Sequence, residues 1–183
     1  MLPLSEADQQ TLLRLAREAL TAYFERAELP AVPNPPASLT QPCGAFVTLR
    51  KGNSLRGCIG VVEADQALYL TVQQCAVWAA IHDRRFSPVT KAELPKLHLE
   101  ISILSPPADI DPEKIEVGRH GLVIERDMHR GLLLPQVAAQ WNWDRERFLE
   151  ETCRKAGLPP DAWRHGANIQ AFTAQVFEEN ERR

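Results

Sequence analysis

Apolar residues recur at helical spacing from Leu12 through Leu15, Ala16, Ala19 and Leu20 to Tyr23, which predicts an amphipathic helix opening at Ser5. Ser5 is a good N-cap, although the residue three positions on is Asp8 rather than the Glu or Gln of a full capping box. A second stripe, Leu68, Val72, Cys75, Ala76 and Ala79, predicts a helix over residues 67 to about 83 with Cys75 in the core. Pro135 suits the first position of a short helix running to Trp141. Asp144 can cap the next one, with Phe148, Leu149, Thr152, Cys153 and Ala156 inward and Gly157 ending it.

Period-two alternation is clearest from Leu97 to Leu104, where Leu97, Leu99, Ile101 and Ile103 share one face and His98, Glu100 and Ser102 the other. A run of β-formers over 45–49, turn chemistry at Lys51-Gly52-Asn53 and the stretch Leu55-Arg56-Gly57-Cys58-Ile59-Gly60 together predict a β-hairpin. Counting outward from that turn sets Cys58 opposite Phe46 or Val47 and away from Cys43, so the two thiols do not face each other. Strands are also expected over 122–125 and 169–177, with a helical turn at Asp111-Pro112-Glu113-Lys114. The prolines at 30, 33, 35, 36 and 42 forbid a ladder and predict an extended surface wrap, and the charged tail from Glu178 is expected to fray. Irregular alternation of elements and short turns favour hairpins over crossovers. The predicted class is α+β, a mainly antiparallel sheet flanked by helices in a single domain over residues 1–183.

Composition narrows the function more than the fold. At 183 residues and net charge -3, with no long Lys/Arg run, the chain carries no electrostatic footprint for nucleic acid or an anionic membrane. No apolar segment approaches a membrane span and no leader pattern opens the chain, so a cytoplasmic protein is expected. The cysteines at 43, 58, 75 and 153 form no C-x-x-C pair and lie at no zinc-ligand spacing, and they are expected to be reduced. Phosphate-loop, dinucleotide, nucleophile-elbow and zincin motifs are absent from the sequence.

The stretch Leu55 to Gly60 is the one whose chemistry exceeds core filling. On a straight strand Leu55, Gly57 and Ile59 take one face and Arg56, Cys58 and Gly60 the other. The Arg56 guanidinium would then favour thiolate over thiol, and Gly57 and Gly60 would leave the sulfur uncrowded. The alternative is that Cys58 is simply packed and the glycines mark a bulge or a close backbone approach. Glu100, between His98 and Ser102, can serve as acid/base or ligand, or can sit on the wet side of an antiparallel sheet. His120 lies between Arg119 and Gly121 in a tight segment, a setting as compatible with a structural as with a functional histidine. The charged loop around Asp83 and Arg85 reads as solvated on composition alone.

The intact Leu55-Arg56-Gly57-Cys58-Ile59-Gly60 hexapeptide resembles the hallmark of the AMMECR1 domain family. Other stretches match that family in order: Cys43 to Leu49, Asp83 with Arg85-Phe86, Glu100-Ile101-Ser102, Gly118 to Leu122, Gly131 to Ala138 including Gln136, and Cys153 to Pro159. The resemblance implies an α+β fold with a larger and a smaller lobe and a cleft that brings Cys58, Arg56, Glu100 and His120 together as catalytic candidates. Gly57, Gly60, Asp83, Arg85 and Gln136 would be binding residues. It also implies membership of an AmmeMemoRadiSam system, in which this chain is similar to component A and its partners would be a Memo-like and a radical SAM protein. It names no reaction and no cofactor. Two functions follow, a cleft that binds and modifies a small molecule through Cys58, or a non-catalytic adaptor; nucleic-acid binding ranks last. The chain departs from the family pattern at Arg84, where a proline is usual, and at Gln140 and Asn142, where an acidic residue and a glycine are common.

Overall fold

A computed structural model describes residues 3–180. The chain divides into two compact units, Met1–Leu104 with Gln175–Arg183 and Ser105–Ala174.

The first unit opens with α1 (Glu6–Glu25), capped as expected by the Ser5 hydroxyl, which accepts from the Asp8 N–H. Leu12, Leu15, Ala16, Ala19 and Leu20 are buried, whereas Tyr23 stays 44% exposed at the end of the stripe. The proline-rich segment bends at Pro33 and Asn34, where Asn34 has φ 51, and then makes one helical turn, α2 (Ala37–Thr40), which buries Leu39. There follow β1 (Ala45–Lys51), β2 (Ser54–Val61), α3 (Leu68–Ile81) and β3 (Leu97–Leu104), with β1 antiparallel to both β2 and β3. α3 lies against β1 and β2, and α1 against α3. The core therefore joins Ala45, Val47 and Leu49 of β1, Leu99 and Ile101 of β3, and Leu68, Val72, Cys75, Ala76 and Ala79 of α3. Each fully buried Leu, Ile or Val here contributes about 1.5–3 kcal/mol of transfer free energy. The tail corrects the expectation of fraying. The Glu179 N–H donates to the Leu99 carbonyl, and the Glu179 carboxylate pairs with Arg17 and accepts the Leu99 N–H. The remainder of the predicted frayed tail, 181–183, lies outside the described residues.

The second unit contains β4 (Ala108–Asp109), β5 (His120–Arg126), β6 (His129–Leu133), α4 (Pro135–Gln140) and α5 (Arg145–Lys155). Its last strand is β7 (Asn168–Glu178), whose final residues belong to the first unit, where β7 is the neighbour of β3. β5 is antiparallel to β6 and to β7, and β4 to β7. Asp144 caps α5 through the Arg147 N–H, and Gly157 closes it at φ 76, in the left-handed region that glycine tolerates. α5 buries Phe148, Leu149, Thr152 and Cys153 against this sheet, and Gly131 comes so close to Ala156 that a Cβ would stand 2.2 Å from its nitrogen. Asn142 has φ 50, which accounts for a glycine being common at that place in the resembling family.

Candidate functional site

The chain reverses at Gly52-Asn53, with Gly52 at φ 56, and Lys51 pairs with Ser54 and Arg50 with Leu55. The next pair is Leu49 with Gly57, so Arg56 is an extra residue with no partner across the ladder. This β-bulge is what outward counting cannot see, and it moves Cys58 from the expected Phe46 or Val47 to Thr48. It also breaks the expected alternation: Leu55 joins the row of Arg50 and His98, while Gly57 and Ile59 pair with the core-facing Leu49 and Val47.

Neither glycine borders open space. A Cβ on Gly57 would lie 2.1 Å from the Ala79 carbonyl oxygen, so this glycine lets α3 seat directly on β2. The space over Gly60 is filled by the Phe46 ring, with its nearest carbon 2.3 Å from where a Cβ would be. Both are close-approach glycines, which corrects the reading that they expose the thiol.

Arg56 likewise does something other than activate Cys58. Its Nε and Nη2 donate to the two Glu93 carboxylate oxygens at 3.0 and 3.2 Å, and its Nη1 and Nη2 to the Ser87 and Pro88 carbonyls. Glu93 in turn accepts from the Thr90 N–H and hydroxyl, and its carboxyl is held well below the usual carboxylate range, first by Arg56. The guanidinium thus ties the loop ahead of β3 to the bulge. The sequence pattern does not single out Glu93, although Thr90-x-x-Glu93 has capping-box spacing.

Asp83 caps the open edge of β2: its Oδ2 accepts the Cys58 N–H at 2.9 Å. The same carboxylate pairs with Arg85 at 2.7 Å and accepts the Arg85 N–H, and these bonds, Arg85 first, lower its pKa to about 2. Arg85 is 59% exposed, whereas the Asp83 side chain is 6% exposed.

The Cys58 side chain belongs to a row running across three strands, Cys58, Thr48 and Glu100, on the face opposite the core. The Thr48 hydroxyl donates to Sγ at 3.3 Å, and Glu100 reaches Arg50 at 3.8 Å. Burial pushes the thiol pKa up, and the Asp83 and Glu100 charges add to this; the Thr48 hydroxyl and Arg85 pull it down without reversing the direction. The expected thiolate is therefore replaced by a neutral thiol, and the cation that acts on it is Arg85 rather than Arg56. Cys43, Cys75 and Cys153 are buried, Cys58 is half-buried, and none of the four is in a disulfide. Cys43 Sγ meets the Leu104 carbonyl, and burial pushes the Cys75 thiol up to about 11.

His120 and Gln136 belong to the second unit, His120 at the start of β5 and Gln136 exposed on α4. His120 Nδ1 accepts the Glu116 N–H at 3.1 Å, which in the neutral ring assigns the proton to Nε2. Within the first unit the structure thus brings Cys58, Glu100, Asp83 and Arg85 together, adds Thr48 to them, and directs Arg56 to Glu93. Among the described residues no group of three His, Cys, Asp or Glu side chains can hold a metal ion, and no helix is long and apolar enough to cross a membrane.

The AMMECR1 family model matches residues 13–177. This chain belongs to the AMMECR1 family. A protein of Thermococcus onnurineus is 44% identical over 92% of this chain and 88% of its own length, and Protein PF1979 of Pyrococcus furiosus is 43% identical over 92% and 86%. The crystal structure of the Uncharacterized Protein PH0010 from Pyrococcus horikoshii superposes with a TM-score of 0.87 at 40% identity, covering 97% of this chain and 94% of that one. The family hexapeptide is accordingly a bulged edge strand in which Cys58 presents its side chain to the polar face beside Thr48 and Glu100, and Leu55 joins that face in the row of Arg50 and His98.

Proposed function

We propose that the polar face of β2, β1 and β3 is a small-molecule binding surface centred on Cys58, Thr48 and Glu100, with Cys58 held as a neutral thiol that contacts the ligand and can be modified by it. The observation that carries this reading is the half-buried Sγ, hydrogen-bonded to Thr48 in the row of Glu100, in a chain whose other cysteines are buried. A neutral thiol donates a hydrogen bond at rest. With an electrophilic ligand the sulfur lone pair forms the S–C bond, the leaving group departs with its electron pair, and Glu100 is the acceptor for the thiol proton. A docking role towards a Memo-like or radical SAM partner has less support, because the glycines that would admit a partner's backbone are filled by α3 and Phe46.

The test is alkylation by iodoacetamide followed by peptide mass spectrometry, with and without members of a metabolite library. Cys58 should label before the other three cysteines, with a rate midpoint above that of free cysteine, and a bound compound should slow it in the native protein more than in Glu100→Gln. Labelling of Cys153 or Cys43 as fast as Cys58, or the absence of any protecting compound, would count against the proposal.

A further inference from the structure

On the same polar face, towards the hairpin turn, lies a cavity of about 460 Å³ lined by Arg50, Gly52, Asn53, His98 and Glu178. Arg50 and His98 are cross-strand partners, and Arg50 follows Thr48 by two positions on β1, so the cavity adjoins the Cys58 row.

Arg50 differs from the other arginines that anchor this unit. Arg17 is bound by the Glu179 carboxylate and the Leu94 and Leu97 carbonyls, and Arg56 by Glu93 and two carbonyls. Arg50 meets Glu100 at 3.8 Å, the outer limit of an ion pair, and its side chain is 37% exposed. A guanidinium offers five donors in a fixed fork that matches a carboxylate or phosphate edge, and here that fork lines a cavity with donors to spare. Glu178, which would repel an anion, is hydrogen-bonded to His98 at 3.1 Å.

We infer that this cavity binds the oxyanion head of an elongated small molecule, with Arg50 as its bidentate anchor and the rest of the ligand lying along the face towards Cys58. The inference rests on the small-molecule reading of the Cys58 row and names its substrate class. Two residues along a strand and one strand across separate Arg50 from Cys58 by roughly 8 Å between backbones. A ligand spanning both therefore has about five or six bonds between its anionic head and the group at the thiol.

Isothermal titration at constant ionic strength tests it, with glutarate and inorganic phosphate as probes and glutaramide as the neutral control. At least one oxyanion should bind and glutaramide should not. Arg50→Gln should weaken binding roughly tenfold or more, the loss of one charge-assisted bidentate contact, while Arg14→Gln, at an exposed α1 arginine paired with Glu18, leaves it unchanged. Phosphate binding alone would assign a phosphorylated ligand, and glutarate binding alone a carboxylate. Equal affinities in the native protein and a folded Arg50→Gln, or no heat from either oxyanion at tens of millimolar, would overturn the anchor. Arg50-dependent binding without any compound that protects Cys58 would instead sink the thiol reading and leave the anchor standing.

Discussion

Replacing Asp83 by Asn keeps an oxygen to accept the Cys58 N–H but removes the charge that faces Arg85. The Asp83 carboxyl is lowered from 3.8 to about 2 in the folded chain, a difference of roughly 2 kcal/mol between its two protonation states. Its own side chain is 6% exposed, but Arg85 is 59% exposed, and solvent screening of that partner reduces the expected contribution to about 1–1.5 kcal/mol. Because the folded pKa is depressed, this stability is fully present above the unfolded value and is lost as the pH falls through the folded one. Asp83→Asn should therefore be less stable than the native chain by about 1–1.5 kcal/mol at neutral pH, or roughly 3–5 °C in Tm for a protein of this size. The gap should hold down to about pH 5 and close between about pH 4 and pH 2. Urea titrations followed by tryptophan fluorescence at a series of pH values measure it directly. A gap of zero at pH 7, or one that persists unchanged at pH 2, would refute the assignment of Asp83 as the charged cap of β2.

Two further outcomes follow from the hexapeptide. Gly57→Ala drives a Cβ into the backbone oxygen of Ala79, 2.1 Å away, and should cost about 3 kcal/mol or more because neither backbone can yield cheaply; a melting temperature within about 2 °C of the native value would show that α3 does not seat on β2 as described. Arg56 and Glu93, with side chains 14% and 18% exposed, should show a coupling of about 1.5–3 kcal/mol in an Arg56→Gln, Glu93→Gln double-mutant cycle read by denaturation. Additivity within about 0.5 kcal/mol would dissolve that pair.

Most of the fold is legible in the residues because hydrophobic spacing and caps agree. The Ser5 and Asp144 caps, the alternation of β3 and the antiparallel hairpin all appear where the pattern places them. What escapes the pattern depends on contacts distant in sequence. Glu179 reads as tail until Arg17 and Leu99, both far away along the chain, meet it. Tyr23 satisfies the helical period yet stays 44% exposed, while the next residue, Phe24, packs against the core in its place. At the candidate site, Cys58 and Glu100 are visible from chemistry and resemblance, yet their shared row with Thr48 depends on a bulge that alternation cannot announce. Arg56 shows the limit most clearly: proximity in sequence suggests a partner for the thiol, and three-dimensional proximity gives it to Glu93.

The unpaired Arg56 also bears on how the hairpin finds its alignment as it forms. Zipped straight from the turn, the two strands would set Arg56 against Leu49 and Cys58 against Val47, on the side covered by α3. A guanidinium trapped there without partners is prohibitively costly, so the positive charge steers the nascent hairpin away from its simplest alignment and into the offset one. Arg56→Leu would then do more than release a loop: it would remove the penalty on the wrong alignment and let two hairpins compete for one core.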